Sequence, residues 1–494
     1  MPITFDNSYA KLPDRFFARV RPTPVKNPAL LAVNGALADV LGIRQDELAS
    51  AEGVEMLAGN RIAEGSEPIA LAYAGHQFGG FVPQLGDGRA ILLGEIVGRD
   101  GKRYDVQLKG SGPTPFSRGG DGRAALGPVL REFVLSEAMA ALGVPTTRAL
   151  AAVTTGEIVV RERLLPGAIL TRVAASHMRV GTFEYFAARK DNDAIAILTK
   201  YALQRHYPEA STTDGSDGPA LALLEQVMTA QINLVATWLS IGFVHGVMNT
   251  DNTSISGETI DYGPCAFLDS YHPGRTFSSI DRGGRYAFAN QPRIALWNLS
   301  RLAETLLPLV NDDIEKAAAI LTERLETFAE RFETAYGKRM RSKLGLQNEI
   351  EGDLEMAQGL LECMAQSKVD YTNCFRRLVE VAAGANEANE DRLVELFAEQ
   401  APIRDWLKAW RARFDQEKVS RDERVALMRR SNPAFIPRNH RIEEMIAAAT
   451  NGDMQPFERL RQVLARPYDD QPEAAELTLP PGDEQWNYRT FCGT

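Results

Sequence analysis

Residues 245–263 contain an amide and two carboxylates that could hold a divalent metal ion and move a proton. Residues 245–252 read HGVMNTDN and end on Asp251 and Asn252, and residues 261–263 read DYG and begin with Asp261. Carboxylate and amide oxygens suit Mg²⁺ or Mn²⁺, whereas zinc selects histidine and cysteine. The segment therefore indicates metal-assisted chemistry with a carboxylate at hand to accept a proton.

The spacing of these residues is that of the catalytic loop and metal motif of protein kinases. The kinase pattern is H-R-D-L-x-x-x-N followed by D-F-G, where the first aspartate accepts the substrate proton and the later asparagine and aspartate hold metal ions. Here Asn252 stands seven residues after His245, but Val247 occupies the position of the catalytic aspartate. The motif indicates a nucleotide-binding protein that keeps the metal ligands and lacks the usual base.

A site of this kind also needs a strand lysine that grips phosphates and a helix glutamate that holds the lysine. Residues 103–109 alternate polar and apolar side chains, which predicts a half-buried strand ending on Lys109. Residues 128–139 begin with a proline and predict a helix that carries Glu132 and Glu137. We expect Glu132 to pair with Lys109, and Glu137 is the alternative partner.

Two glycine-rich segments flank Lys109. Residues 84–95 read QLGDGRAILLGE and predict a tight turn leading into a strand, where backbone N–H groups can approach phosphate. Residues 110–123 read GSGPTPFSRGGDGR and are too long and polar for a hairpin. Because a long loop inside a compact domain usually has a function, we expect the second segment to belong to the site. A flexible surface loop is the alternative.

A third cluster is basic. Arg161 and Arg163 follow an apolar run, and Arg172 and Arg179 lie seven residues apart, which on a helix would place both side chains on one face. Guanidinium groups stay charged and bind phosphate oxygens in pairs. We expect these arginines to bind phosphate, and surface ion pairs are the alternative.

The chain resembles the selenoprotein O family of kinase-like proteins. The resemblance covers nearly the full length and rests on residues 5–10 (FDNSYA), residues 73–79 (YAGHQFG), the loop after Lys109, residues 172–184 and the metal motifs. It implies an α+β, protein-kinase-like two-lobe fold with a helical C-terminal extension. It also implies a protein adenylyltransferase that binds ATP inverted relative to a kinase and transfers AMP to a protein Ser, Thr or Tyr hydroxyl. Transfer of UMP from UTP is a further activity that the resemblance implies.

The resemblance assigns roles to individual residues. Asp251 is implied to be the proton acceptor, and Asn252 and Asp261 are implied to bind Mg²⁺ or Mn²⁺. The implied contacts to ATP are Gly86, Gly88, Arg89, Lys109, Asp121, Gly122, Arg172, Arg179 and Asp261. Inversion of ATP would bury its β- and γ-phosphates, so the lysine and the last two arginines would hold the leaving pyrophosphate.

Two other function classes fit the same residues. A kinase or small-molecule phosphotransferase would use Asp251 as a displaced base and would transfer the γ-phosphoryl group. A non-catalytic, ATP-binding pseudokinase scaffold would bind nucleotide without turnover. Val247 disfavours a normal kinase, and the retained Lys109, Asn252 and Asp261 disfavour an inert scaffold.

Composition is typical of a globular enzyme. The chain has 494 residues, of which 44% are hydrophobic and 24% charged, so it can bury a large core and divide into more than one lobe. The net charge of −10 disfavours nucleic acid as a partner. Residues 1–25 lack the apolar core of a signal peptide, and no uninterrupted apolar run reaches the length of a membrane helix. We expect a monomer without a membrane partner, cytoplasmic in a bacterium and mitochondrial in a eukaryote.

We divide the chain into an N-terminal kinase-like lobe at 1–165, a mainly helical lobe at 166–340 and a helical C-terminal extension at 341–494. The expected hinge is at 162–166. A polar segment at 212–218 separates residues 200–207 from an apolar helix at 220–241. Helical periodicity at 314–336, 391–414 and 441–449 predicts helices in the last third.

Four scattered cysteines do not indicate a disulfide framework or a zinc site. We expect Cys265 and Cys363 to be buried as small hydrophobic side chains. Cys492 lies near the C-terminus, where selenoprotein O relatives carry a selenocysteine or cysteine that implies redox control. An accidental exposed thiol is the alternative for Cys492.

Overall fold

The chain forms a mixed α/β fold whose C-terminal part is helical. The structure is a computed structural model that describes residues 3–211, 218–384 and 387–482. The strands are β1 Phe17–Arg19, β2 Ala29–Val33, β3 Ile69–Leu71, β4 Gly75–Gln77, β5 Gly80–Val82, β6 Ala90–Val97, β7 Arg103–Lys109, β8 Ala124–Ala125, β9 Arg148–Val160, β10 Leu164–Ala174, β11 Phe243–Val244 and β12 Ala266–Phe267.

The helices are concentrated after the last long strand. They are α1 Gly35–Leu41, α2 Gln45–Ala49, α3 Ala51–Leu57, α4 Leu126–Ala141, α5 Val180–Ala187, α6 Asn192–His206, α7 Pro208–Ser211, α8 Gly218–Ser240, α9 Gln291–Val310, α10 Ile314–Glu326, α11 Phe328–Leu344, α12 Asp353–Ser367, α13 Tyr371–Ala383, α14 Glu387–Val394, α15 Gln400–Phe414, α16 Arg421–Ser431, α17 Asn439–Thr450 and α18 Gln455–Leu464. Short 3-10 helices include Thr250–Asn252, which carries the candidate base.

The long strands form one antiparallel sheet in the order β1-β3-β6-β7-β10-β9-β2, and β8 pairs with β10. Lys109 ends β7 between its two neighbours, opposite Ala90 of β6 and Leu170 of β10. Ala168 and Leu170 pack against α4, whereas Ile169 contributes to the core that contains α1, α2 and α3. The sheet is therefore covered on both faces, which fixes the position of Lys109.

Helix α4 is almost completely buried. Its Leu130 and Phe133 lie in a core formed with the sheet, α17 and α18. A helix that is apolar on most sides must be buried on most sides. Here the sheet covers one side of α4, and the C-terminal helices cover another. This packing brings residues near 131 and near 440 together.

Helix α8 is the central helix of the part that follows the sheet. By length and composition it is the one helix among the described residues that could cross a membrane, and 67% of its apolar window is buried inside the fold. Helices α6, α9 and α11 pack around it. Its apolar residues form the core of the helical part.

Several local predictions are confirmed. The strand at 103–109 is β7, the helix at 128–139 is α4, the helix at 220–241 is α8 and the helix at 441–449 is α17. The periodic segments 314–336 and 391–414 each contain two helices, because the chain breaks at Thr327 and between α14 and α15.

The predicted hinge at 162–166 is wrong. Residues 161–163 form the turn between β9 and β10, and these strands pair from Leu164 opposite Val160 to Val173 opposite Arg148. A boundary at 165 would cut β10 and its hydrogen bonds. An apolar run followed by charged residues is typical of a hairpin end as well as of a hinge. The sequence pattern did not distinguish a hairpin end from a hinge.

The remaining expectations concern the polar segment and the cysteines. Residues 212–217 of the polar segment, and Cys492, lie outside the described residues. Cys265 is buried as predicted, but Cys363 is only partly buried. The described cysteines are free thiols.

Candidate active site

Glu132 joins two cations at the centre of the candidate active site. Lys109 Nζ lies 2.6 Å from Glu132 Oε2, and Arg172 Nε donates to Glu132 Oε1 at 2.8 Å. The predicted pairing of Lys109 with Glu132 is confirmed. The alternative partner, Glu137, binds Arg148 instead, with Nη2 at 2.6 Å. Two strands of the sheet therefore position the cations, and α4 positions the glutamate.

Asp261 is the second carboxylate of this cluster. Its Oδ1 lies 3.0 Å from Lys109 Nζ. Burial would raise the pKa of Asp261, but the charges of Lys109, Arg89 and Arg172 hold it far below its usual range. For Glu132, burial likewise opposes Arg172 and Lys109, and the pKa is lowered. Both carboxylates are therefore ionised at neutral pH.

Asn252 and Asp261 are suited to a hard divalent cation. Asn252 Nδ2 donates to the Val247 carbonyl at 3.0 Å, and among the described residues no hydrogen bond engages its amide oxygen. Asp261 has a φ of 66°, a left-handed conformation that aspartate tolerates better than most residues. The described residues contain no group of three His, Cys, Asp or Glu side chains that could hold a metal alone. An ion here would need further ligands, such as phosphate oxygens.

Asp251 is a buried carboxylate with one unsatisfied oxygen. Its side chain accepts a hydrogen bond from Gln77 Nε2 at 3.2 Å through Oδ2, while Oδ1 has no partner in the described structure. Burial raises the pKa of Asp251 to about 6, although Arg179 acts in the opposite direction. A carboxylate with a raised pKa and a free lone pair is a stronger proton acceptor than an ordinary aspartate.

Residues of the YAGHQFG motif hold the loop that carries Asp251. Glu184 Oε1 lies 2.5 Å from His76 Nδ1, and its Oε2 accepts from Thr250 Oγ1 at 2.5 Å. The Thr250 hydroxyl in turn accepts from the backbone N–H of His76 at 2.7 Å. Sequence reasoning used this motif only for the family resemblance. The polar residues His76 and Gln77 of this motif are the sequence feature that could have indicated its role in holding the loop.

Arg172 and Arg179 do not share a helix face, so that expectation is wrong. Arg172 lies in β10, and Arg179 precedes the first residue of α5. Arg179 Nη1 donates to the Asp251 carbonyl at 2.7 Å, and its Nη2 lies 3.6 Å from Asp87 Oδ1. The two arginines reach the same region because a strand leads directly into a helix there.

The glycines of the first loop allow the two loops to pack together. A Cβ at Gly86, which has a φ of +77°, would collide with the Phe116 ring, and a Cβ at Gly88 would lie 3.0 Å from the Phe116 carbonyl oxygen. Thr114 Oγ1 donates to the Asp87 carbonyl at 2.7 Å. The predicted turn into β6 is confirmed, and the second loop is packed against it rather than free.

Asp121 and Gly122 lie at the outer end of the second loop. Asp121 forms an ion pair with Arg161 at 2.8 Å, and this pairing lowers the pKa of Asp121. Gly122 has a φ of +66° and abuts the backbone of Gly112. Asp121 is therefore linked to the cleft through Arg161, which lines it, whereas Gly122 allows the two ends of the second loop to pack together.

A cleft of about 450 Å³ opens beside the cation cluster. Its walls include Arg89, Lys109, Glu132, Asp261, Arg161 and Arg163, together with one face of α17. Three of the predicted nucleotide contacts, Arg89, Lys109 and Asp261, thus line one cavity. Of the other predicted residues, Arg172 lies in β10 and Arg179 at the start of α5, and the rest lie in the adjoining loops and in the loop of Asp251.

Arg131 and α17 form a part of the cleft that sequence reasoning missed. Arg131 Nε donates to the Gly263 carbonyl at 3.0 Å, and its Nη1 donates to Asn439 Oδ1 at 3.0 Å. A Cβ at Gly127 would lie 2.9 Å from Ile446. Because 308 residues separate Arg131 from Asn439, no local pattern could have indicated this contact.

A family model described as "Protein adenylyltransferase SelO" matches residues 1–465. The chain belongs to the SelO family. A relative from Methylorubrum populi, named "Protein nucleotidyltransferase YdiU", is 60% identical over 495 residues and covers 99% of both chains. Relatives with the same name from Bradyrhizobium sp. strain BTAi1 and Rhizobium etli are 58% and 55% identical over 491 residues. They cover 99% of this chain and 99% and 97% of their own lengths.

Membership of the SelO family confirms the resemblance inferred from the motifs. The match spans the sheet, the helical part and most of the C-terminal helices. The mixed α/β architecture with a helical C-terminal part agrees with that membership.

Proposed function

We propose that this chain is a protein nucleotidyltransferase that transfers AMP from ATP to protein hydroxyl groups. The family description names an adenylyltransferase, and the names of the relatives specify nucleotidyl transfer to protein. The structural observation that carries the proposal is that Lys109 and Arg89 line the cleft together with Asp261, while Arg172 adds a third positive charge on the Glu132 that also binds Lys109. Such a charge can stabilise a pyrophosphate leaving group.

ATP would lie with its β- and γ-phosphates at this cation group and its α-phosphorus toward Asp251. The substrate hydroxyl oxygen attacks the α-phosphorus, and Asp251 accepts the hydroxyl proton. The bond between the α-phosphorus and the bridging oxygen breaks, and pyrophosphate leaves. The unsatisfied Oδ1 of Asp251 and the raised pKa of its carboxyl support its role as the base.

Asn252 and Asp261 would hold the Mg²⁺ or Mn²⁺ that accompanies ATP. The free amide oxygen of Asn252 and the ionised carboxylate of Asp261 fit a hard cation. The bound ion would neutralise phosphate charge as the leaving group forms. The remaining proposed nucleotide contacts, Gly86, Gly88, Asp121, Gly122 and Arg179, would act from the loops around the cleft.

We assign the architecture to a protein-kinase-like, two-lobe fold. The sheet with its Lys109–Glu132 ion pair corresponds to the first lobe, and the α8 region with the loop of Asp251 corresponds to the second. The division into 1–165, 166–340 and 341–494 then needs its first boundary moved beyond the end of β10. We further propose that the protein is a cytoplasmic bacterial monomer with no nucleic acid or membrane partner.

Intact-mass spectrometry tests the proposed activity. Incubation of the chain with ATP and Mn²⁺ should add the mass of AMP to the chain itself or to an added protein. Asp261→Asn should abolish the adduct because the metal loses its charged ligand, and its thermal unfolding should show that the variant is folded. Parallel incubation with UTP tests transfer of UMP. A phosphate-sized adduct would favour the kinase alternative, and ATP binding without any adduct would favour the scaffold.

A further inference from the structure

A second cavity lies in the helical part and shares no lining residue with the cleft. Its volume is also about 450 Å³. Helices α8 and α11, the end of α16, the turn after α4 and Tyr468 form its walls. The cavity therefore lies where the central helix meets the C-terminal helices.

The lining of this cavity is strongly basic. It contains four cationic side chains and, among its described lining residues, no carboxylate; the cations are Lys338, Arg339, Lys343 and Arg430. Uncharged hydrogen-bonding side chains complete the polar lining, and they include Asn233, Thr237, Ser240, Ser342 and Ser431. The four hydroxyl groups donate to helix carbonyls, whereas Asn233 donates one amide N–H to the Thr229 carbonyl and has a second N–H that could donate to an anion.

Among the described residues the four cations have no charged partner, which distinguishes them from two other arginines of α11. Arg331 of α11 binds Glu225 at 2.7 Å, and Arg341 binds Glu349 at 2.8 Å. Within the described part of the chain, no ion pair or side-chain hydrogen bond is formed by the cations that line the cavity. Like charges gathered without a counter-charge repel one another, so the arrangement favours a bound anion.

Lys343 is the most unusual member of the group. Its side chain is only 2% exposed, and its ammonium lies 4.0 Å from the centroid of the Phe375 ring. Burial lowers the pKa of Lys343 to about 7 and also lowers the pKa of Arg339. A buried ammonium without a carboxylate is costly, and the aromatic face offsets only part of that cost. Lys338 and Arg430 are exposed at the mouth, so the positive charge extends from solvent into the protein.

We propose that this cavity is a binding site for a phosphate-type oxyanion. Arg339 and the cations at the mouth would contact the anion, and the second amide N–H of Asn233 would donate a further hydrogen bond to it. Guanidinium groups suit tetrahedral oxyanions because they donate paired hydrogen bonds. A bound anion would link α8, α11 and α16 and would stabilise the folded state by mass action.

Titration calorimetry with inorganic phosphate and pyrophosphate tests the site. The full chain carrying Lys109→Gln and Asp261→Asn weakens the candidate active site, so the remaining binding reports the second cavity. We expect saturable binding of one anion per chain. Adding Lys338→Gln and Arg430→Gln should lower the affinity at least about tenfold, since each charge-assisted hydrogen bond contributes appreciably.

Arg429→Gln is the matched control. Arg429 is the neighbour of Arg430 on α16 and is equally exposed, but it does not line the cavity. This variant should change the affinity by less than about twofold, as expected of a solvent-screened charge that does not contact the anion. Equal losses from Arg429→Gln and Arg430→Gln would show general attraction to a basic surface and would overturn the site. Absence of any anion binding would also overturn it.

Thermal unfolding of the otherwise unchanged chain provides a second measurement. Pyrophosphate should raise the melting temperature of the Arg429→Gln chain more than that of the Lys338→Gln, Arg430→Gln chain. The candidate active site is identical in both, so the difference belongs to the cavity. Identical increases would contradict the proposal.

Discussion

At the scale of single residues, the account depends on the environment of Asp251. The sequence has an aspartate four residues after the usual position of the kinase base, and the structure gives that aspartate a free oxygen and a raised pKa. The resemblance to the selenoprotein O family assigned the role of proton acceptor to Asp251. The burial that would support this role depends on Gly75, Gln77 and Arg179, and no local pattern predicts such packing.

The rate of nucleotidyl transfer should fall as the pH drops below about 6. The pKa of Asp251 is raised to about 6, so its carboxyl is ionised above that pH and protonated, and hence unable to act as base, below it. Asp251→Asn should lower the rate by about 10²–10⁴-fold and remove this acid limb while leaving ATP affinity largely intact. A pH series of initial rates with both proteins checks this. An unchanged acid limb in Asp251→Asn would assign the titration to another group.

Gly75→Ala should reduce transfer without unfolding the protein. A Cβ at Gly75 would lie 2.6 Å from Asp251 Oδ1, so the carboxylate would have to move from its position. Gly80→Ala is the matched control, because Gly80 lies on the paired strand β5 and its new Cβ would approach no atom more closely than 3.5 Å. We expect a loss of at least about tenfold in the rate for Gly75→Ala alone, since small misplacements of catalytic groups are costly. Equal rates in the two variants would refute this positioning.

At the scale of elements, local sequence patterns predicted individual strands and helices, whereas tertiary contacts determined how these elements pair and pack. The strand ending on Lys109 and the helix of Glu132 follow from alternation and helical periodicity, and their ion pair follows from the kinase pattern. The hinge was wrong because β9 and β10 pair across it as a hairpin. The shared helix face was wrong because Arg172 lies in β10, whereas Arg179 immediately precedes α5. The sequence of a strand does not reveal which other strands it pairs with.

Lys343→Met should stabilise the protein in buffer without phosphate or sulfate. The folded-state pKa of Lys343 is lowered to about 7 from 10.5, so the unfolded chain binds a proton there that the folded chain lacks between those values. The free-energy cost of burying the Lys343 ammonium is therefore full below pH 7, and it decreases as the pH rises toward 10.5. Melting temperatures measured across this range should show the advantage of methionine shrinking with pH. A melting temperature at pH 6.5 that is lower for Lys343→Met than for the unchanged protein would contradict the inferred cost of the buried ammonium.

At the scale of the whole molecule, the cleft is built from segments that are far apart in the sequence. The first glycine-rich segment, the end of β7, α4, the metal motif and α17 all contribute to it. The kinase pattern and the family resemblance together indicated the first four of these. The contribution of α17 was not predicted, since it arises from the way the C-terminal helices cover α4.

If the cations near Asp261 hold the β- and γ-phosphates of ATP, attack falls on the α-phosphorus. Incubation of the purified chain with Mg²⁺ or Mn²⁺ and with ATP labelled at either the α- or the γ-phosphate tests this orientation directly. We expect protein to be labelled only from the α-position, and we expect Lys109→Ala to lower this labelling about 10- to 100-fold through loss of a charge-assisted contact. Labelling of protein from the γ-position would contradict the proposed orientation of ATP.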